Sequence, residues 1–271
     1  MLLHRLLTAA LLIPFVIWFC LYFSTPLFEV VVALIIALAA WEWSKLSGRL
    51  TPMRRSLYVI STLVIYLLSY ELTKFNWFLY TLLITANLGW ILAFINLLRY
   101  EKNPQRKLLN PLISSLIGWG VLIPAGVGIV TLHAHSHSPQ LWQLYLLILI
   151  WTADSGAYFV GKQWGKHPLA PNISPKKTWE GVFGGLLLSN LFIISYGLYL
   201  GNTLKGMMTW LLLSNLTLVA SVIGDLFESL MKRHSDLKDS GQLLPGHGGI
   251  LDRIDSLTAA IPVFTLGILL T

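Results

Sequence analysis

Cysteine is almost missing from this sequence. Cys20 is the only one in 271 residues, which excludes an internal disulfide and a thiolate metal cluster. Charge is scarce as well: Asp, Glu, Lys and Arg make up 11% of the chain against 55% hydrophobic residues, and the mean hydropathy is +0.69. Such proportions exclude an ordinary soluble globule and point to an integral membrane protein, for which length says little about domain count. No cleavable leader is expected either. The opening "MLLHRLLTAALLIPFVIWFCLYF" has a basic start, but its apolar run is longer than a signal-peptide core and no small-residue cleavage site follows it, so it reads as a retained first span with Cys20 packed as a small hydrophobe.

What is there is a series of apolar stretches. A bilayer core takes about 20 apolar residues per helix, and nine stretches qualify, near 6–23, 27–43, 57–70, 77–98, 112–132, 141–161, 178–200, 207–230 and 253–270. Pro14, Pro124 and Pro262 fall inside spans, where neighbouring helices can satisfy the carbonyls they free. Alternating the connections across the membrane puts seventeen of the nineteen Lys and Arg residues on one side and leaves only Lys74 and Lys205 on the other. Because cytoplasmic loops carry the Lys/Arg excess, the N-terminus should be cytoplasmic and the C-terminus outside. The net charge of +7 then reflects topology and attraction to anionic headgroups rather than a nucleic-acid footprint. The expected fold is an all-α integral membrane protein, a polytopic bundle of about nine transmembrane helices. Trp18, Trp41, Trp43, Trp77, Trp142 and Trp210 stand near span ends, as interfacial anchors do.

The acids are unevenly placed. Eight of the twelve lie between Asp154 and Asp255, and the topology puts all eight at or near the cytoplasmic ends of spans six to nine. Asp154, Tyr158 and Lys162 recur every four residues on one face of span six; Ser214, Thr217, Ser221, Asp225, Glu228 and Lys232 form a polar stripe on span eight. An ionisable side chain at membrane depth costs at least a few kcal/mol and needs a partner. Asp225 could pair with a buried Lys or Arg merely to hold the bundle. Several carboxylates converging from three helices would instead repel one another unless a cation sat between them.

Two short segments carry the remaining chemistry. In "KDSGQLLPGHGGILDRIDS", residues 238–256, Asp252 and Asp255 stand three apart at the start of span nine. Taken alone, that spacing reads as a capping box with Asp252 as N-cap. The preceding Gly246, Gly248 and Gly249 allow a tight turn whose N–H groups can point at an anion, and Lys238, His247 and Arg253 add phosphate-binding groups. In "NISPKKTWEGVFGG", residues 172–185, Thr178 is a candidate N-cap for span seven, Glu180 sits in its first turn, and Lys176 and Lys177 precede it. Those lysines also fit ordinary positive-inside flanking, although Pro175 stiffens the approach to them in a way flanking does not require.

The stretch "SLMKRHSDLKDSGQLLPGHGGILDRID", from Ser229 to Asp255, resembles the signature of the phosphatidate cytidylyltransferase (CDP-diacylglycerol synthase) family, and "SPKKTWEG" and "WTADSGAYFVGK" resemble two further segments of it. The resemblance covers residues 151–255. It implies transfer of CMP from CTP to phosphatidic acid, giving CDP-diacylglycerol and pyrophosphate at the inner face of a bacterial cytoplasmic membrane, with Mg²⁺ as the metal and K⁺ as a candidate second ion. Asp225 and Asp252 are then the expected metal ligands, with Asp255 close by and Asp154 either a ligand or an anchor for a lysine. Lys176, Lys177, Lys238, Arg253 and the N–H groups of Gly248 and Gly249 become phosphate contacts, joined through the matched segments by Ser174, Thr178, Glu180, Lys232 and Arg233. His247 would orient or protonate the pyrophosphate side. Residues 1–140 are expected to form a scaffold of spans one to five and a candidate homodimer surface, and residues 141–271 the catalytic region.

Two rival functions remain in view. A CTP-dependent kinase of a polyprenol or similar lipid alcohol would release CDP instead of pyrophosphate. An ion-coupled transporter also uses buried carboxylates, but no internal repeat is visible and nine spans do not divide into equal inverted halves. "HAHSHS" sets His133, His135 and His137 at alternate positions, a Zn²⁺ pattern only in an extended loop; on the outer side it reads as a solvated connection.

Overall fold

The structure is a computed structural model that describes residues 13–48, 51–104, 110–134, 139–201, 203–241, 243 and 248–271. Within them lie nine helices: α1 Ile13–Tyr22, α2 Thr25–Leu46, α3 Pro52–Leu72, α4 Asn76–Lys102, α5 Pro111–Ala134, α6 Pro139–Trp164, α7 Trp179–Tyr199, α8 Leu204–His234 and α9 Leu251–Leu270. The expected stretches overlap these helices, except that residues 6–12 of the first lie outside the described residues. Seven of them, α2 and α4 to α9, are long and apolar enough to cross a bilayer, so the chain is an all-α polytopic membrane protein. α3 has 21 residues, but Arg54, Arg55 and Glu71 and its many hydroxyls lower its hydropathy. Helix starts follow the local sequence: Thr51, Thr178 and Thr203 each accept a hydrogen bond from the N–H three residues on, filling one of the orphan donors of a first turn. Pro124 and Pro262 sit within α5 and α9, which continue past them.

Two helix pairs set the geometry of the C-terminal half, α6 with α7 and α8 with α9. Small residues decide how close each pair comes. A Cβ at Gly156 would strike the Gly184 carbonyl, and one at Gly185 the Ala153 carbonyl, so α6 and α7 touch backbone to backbone, as glycine-lined membrane helices do. On α8, a Cβ at Gly224 would come within 2.6 Å of the Asp255 carbonyl and 3.0 Å of the Ala259 Cβ. Gly224 therefore lets α9 close onto α8 beside Asp225. α5 joins the two halves by packing on α2, α3, α6 and α9.

Between α6 and α7 the chain leaves the helices for a hairpin. Strands β1 Pro168–Ala170 and β2 Ser174–Thr178 pair antiparallel, with Ala170 opposite Ser174. Its turn is driven inward: Ile173 is 1% exposed and packs with Ala170 against Leu97 of α4 and Leu226 and Leu230 of α8. Polar bonds fix the same turn. The Asn172 N–H donates to Glu101 Oε1 at 2.9 Å, its side-chain amide donates to the Glu101 carbonyl at 3.1 Å, and Arg233 Nε donates to the Ile173 carbonyl at 3.1 Å. The hairpin thus lies across the ends of α4 and α8.

Candidate active site

Where α6, α8 and α9 meet, a cavity of about 470 Å³ opens. Asp154 from α6, Asp225 and Lys232 from α8, Asp239 from the segment after α8, and Asp252, Arg253 and Asp255 from α9 line it, together with the apolar Leu147, Ile150, Trp151 and Leu257. Helical spacing explains the grouping. Asp225 and Lys232 lie seven residues apart, two turns along one face, and Asp252, Asp255 and Ser256 occupy one face of the first turns of α9. Strand alternation and the buried turn carry Lys177 to the same place, where it forms an ion pair with Asp225. Ser229 Oγ stands 3.5 Å from the other Asp225 oxygen.

Asp252 is the most heavily bonded of these acids. Its Oδ1 lies 2.8 Å from Lys232 Nζ; its Oδ2 accepts from the Gly249 N–H at 2.8 Å, the Ser240 N–H at 3.1 Å and Ser240 Oγ at 3.0 Å. Lys232 also lies 2.6 Å from Glu228, whose side chain is 3% exposed. One ammonium therefore serves two carboxylates. Asp225 is near enough to Asp154 and Asp255 for their charges to repel, and Lys177 attracts both. Five aspartates face Lys232 and Arg253 around the cavity, an excess of negative charge that favours a cation.

The donor set suits Mg²⁺. Among the described residues no three His, Cys, Asp or Glu side chains stand close enough to hold an ion by themselves. Hard carboxylate oxygens, available one or two at a time at the edge of an open cavity, match an ion that keeps several waters and takes substrate phosphates as further ligands.

The other described residues singled out from sequence do not line the cavity. Lys176 is exposed on β2 and Lys238 on the segment after α8, and neither lines the cavity. Ser174 starts β2 and Thr178 caps α7 at 3.2 Å from the Gly181 N–H. Glu180 and Arg233 are engaged in holding the hairpin: Glu180 accepts from the backbone N–H groups of Lys166 and His167, both at 3.2 Å, and lies 2.5 Å from His167 Nδ1, while Arg233 bonds the turn. Gly248 has φ +82°, a left-handed conformation that favours glycine. The Gly249 N–H, expected to face a phosphate, is taken by Asp252. His247 lies outside the described residues, as do His135 and His137; His133 is buried and stacks on Phe28 at 4.1 Å.

The capping-box reading of α9 gives way to a different arrangement. The helix starts at Leu251 with Ile250 as an N-cap that offers no side-chain acceptor. Asp252 falls inside the first turn, and Asp255 Oδ1 accepts from its neighbour Ser256 N–H at 2.7 Å. Sequence reasoning passed over Asp239, which lines the cavity next to Lys238, Ser240, which bonds Asp252, and Glu42 of α2, which lies behind Ser240. Asp239 was within reach, since it belongs to the charged stretch already singled out; Glu42 had no local signal.

The profile of the Cytidylyltransferase family matches residues 3–270. A phosphatidate cytidylyltransferase of Haemophilus influenzae is 39% identical over 98% of this chain and 98% of its own length. One from Pseudomonas aeruginosa is 38% identical over 97% of this chain and 96% of its own length. One from Staphylococcus aureus is 44% identical over 52% of this chain and 54% of its own.

Proposed function

This chain belongs to the cytidylyltransferase family, and on that footing we propose that it is a phosphatidate cytidylyltransferase of phospholipid biosynthesis. It transfers CMP from CTP to phosphatidic acid and releases pyrophosphate. The observation that carries this reading is the meeting of Asp154, Asp225, Asp252 and Asp255 with Lys232 and Arg253 around one cavity built from helix ends, with Lys177 of the hairpin paired to Asp225. A phosphate oxygen of the lipid attacks the α-phosphorus of CTP while pyrophosphate departs, so both reactants are anions and no protein nucleophile is required. Arg253, on the first turn of α9 with its head at the cavity, is suited to hold a phosphate. Lys177 and Lys232 hold Asp225 and Asp252 in place until substrate arrives and can then turn to phosphate oxygens. The apolar stretch of Leu147, Ile150, Trp151 and Leu257 takes the lipid's glycerol and upper acyl region and excludes water from the reacting phosphates.

Asp225 and Asp252 would hold Mg²⁺, with Asp255 and Asp154 beside them and K⁺ as a candidate second ion; such ions would supply charge neutralisation between the two anions and for the leaving group. The nine helices are read as nine spans, with the N-terminus cytoplasmic, the C-terminus outside and the cavity at the cytoplasmic face of the bacterial inner membrane; the seventeen-to-two sorting of Lys and Arg supports this. CTP then enters from water and phosphatidate from the inner leaflet. Residues 1–140 serve as scaffold and homodimer surface, and 141–271 as the catalytic region.

Purified protein given Mg²⁺, labelled CTP and phosphatidate should move label into the organic phase and release pyrophosphate. Asp225→Asn and Asp252→Asn should insert and fold yet lose CDP-lipid formation by about a hundredfold or more, as loss of metal ligands does. Near-normal turnover in both variants refutes their role. Release of CDP with a polyprenol acceptor would assign the lipid-kinase reaction instead.

A further inference from the structure

Glu42 lies near the end of α2, in the half of the chain expected to be scaffold, and it is 3% exposed. A carboxylate buried near span depth is costly unless it is fully bonded. Its Oε2 accepts from Ser240 Oγ at 3.0 Å and the Leu251 N–H at 2.8 Å, and its Oε1 accepts from the Ile250 N–H at 3.1 Å. The two amides belong to the start of α9, which has no side-chain cap of its own, so a carboxylate from another helix answers its orphan donors and its dipole. Ser240 links this carboxylate to the cavity: its hydroxyl stands 3.0 Å from both Glu42 Oε2 and Asp252 Oδ2, and its N–H donates to Asp252. The fit is tight on both sides, because a Cβ on Gly241 or Gly249 would collide with the Glu42 carboxylate. Glu42 itself does not line the cavity.

We propose that Glu42 is a positioning residue for CMP transfer: it fixes Ser240 and the first turn of α9, and through them aims the Asp252 carboxylate into the cavity. This rests on the reading above that Asp252 works in the reaction. The N-terminal half then contributes to the geometry of the site and not only to its support.

The test uses the full chain purified in detergent with CTP, phosphatidate and Mg²⁺. Glu42→Gln keeps the side chain's size but turns one acceptor into an amide that faces a donor. It should lower kcat by about tenfold or more, leave KM for CTP within about threefold, and speed hydrogen exchange across residues 249–253. Ser240→Ala leaves Glu42 on the α9 backbone and the residue 240 N–H on Asp252, and removes only the hydroxyl between the two carboxylates; it should lower kcat to a similar degree. Combining the two should cost no more than about twofold beyond the worse single variant, since both act along one path. A purely structural Glu42 would lower the yield and melting temperature of Glu42→Gln while leaving kcat per folded enzyme unchanged. That result overturns the proposal, and so does a kcat for Ser240→Ala within about twofold of the parent. If Glu42→Gln does not fold, Ser240→Ala decides alone. A parent chain that makes no CDP-lipid defeats the functional reading instead; faster exchange across 249–253 in Glu42→Gln would still support the link, and unchanged exchange would sink it.

Discussion

Lys232 holds two acids at once, Glu228 at 2.6 Å and Asp252 at 2.8 Å, with only 15% of its side chain exposed. Removing one member of a buried ion pair leaves an uncompensated charge, whereas removing both is far better tolerated. Lys232→Met should therefore destabilise the protein by about 3–5 kcal/mol, read as a lower melting temperature in detergent. Adding Glu228→Gln should recover most of that loss, because Glu228 is then neutral while the Asp252 charge keeps its bonds from Gly249 and Ser240. The rescued double variant should remain impaired in CDP-lipid formation, since Asp252 still lacks its ammonium. A double variant no more stable than Lys232→Met would show that Glu228 is not the charge that Lys232 compensates. Among single residues, the acids of α6, α8 and α9 were legible because helical spacing groups them, while Glu42 was not: it bonds Ser240 across 198 residues, and periodicity carries no information about which helices are neighbours.

Among elements, the hairpin and the α8–α9 contact decide where the charges meet. Ile173 is the plug that seats the hairpin, filling a space between Leu97, Leu226 and Leu230. Ile173→Ala should cost about 2–5 kcal/mol if the gap does not collapse, measured as an earlier loss of protease resistance at residues 165–178. Because Lys177 is carried on the same hairpin, CMP transfer should fall along with it; full activity with a loosened hairpin would separate Lys177 from the site. The helices were legible from apolar runs of sufficient length. The hairpin was not, because a short stretch with three prolines and two lysines has no alternating pattern, and its inward turn depends on partners in α4 and α8. The cap of α9 was misread for the same reason: Asp252 and Asp255 have the spacing of a capping box, but the acceptor for the first N–H groups comes from α2.

For the whole molecule, the decisive question is which side of the membrane each connection faces. Cys20 is buried, so the native chain should be silent to a membrane-impermeant thiol reagent and single cysteines can be added. Placed at Lys45, Lys102 or Lys238, they should react only after intact cells are opened, while those at Lys74 and Lys205 should react from outside; the reverse pattern would overturn the orientation and the cytoplasmic access of CTP. By itself the sequence determined the membrane class, the helices and the set of acids and bases available to the site, because these follow from local composition, from a 3.6-residue period and from motif spacing. Only the tertiary structure decided that Asp225 pairs with Lys177, that Lys232 bridges Glu228 and Asp252, and that Glu42 braces the start of α9. Those outcomes depend on which helices are neighbours and how closely Gly224 and the α6–α7 glycines let them approach, and packing settles that only when all the spans are assembled.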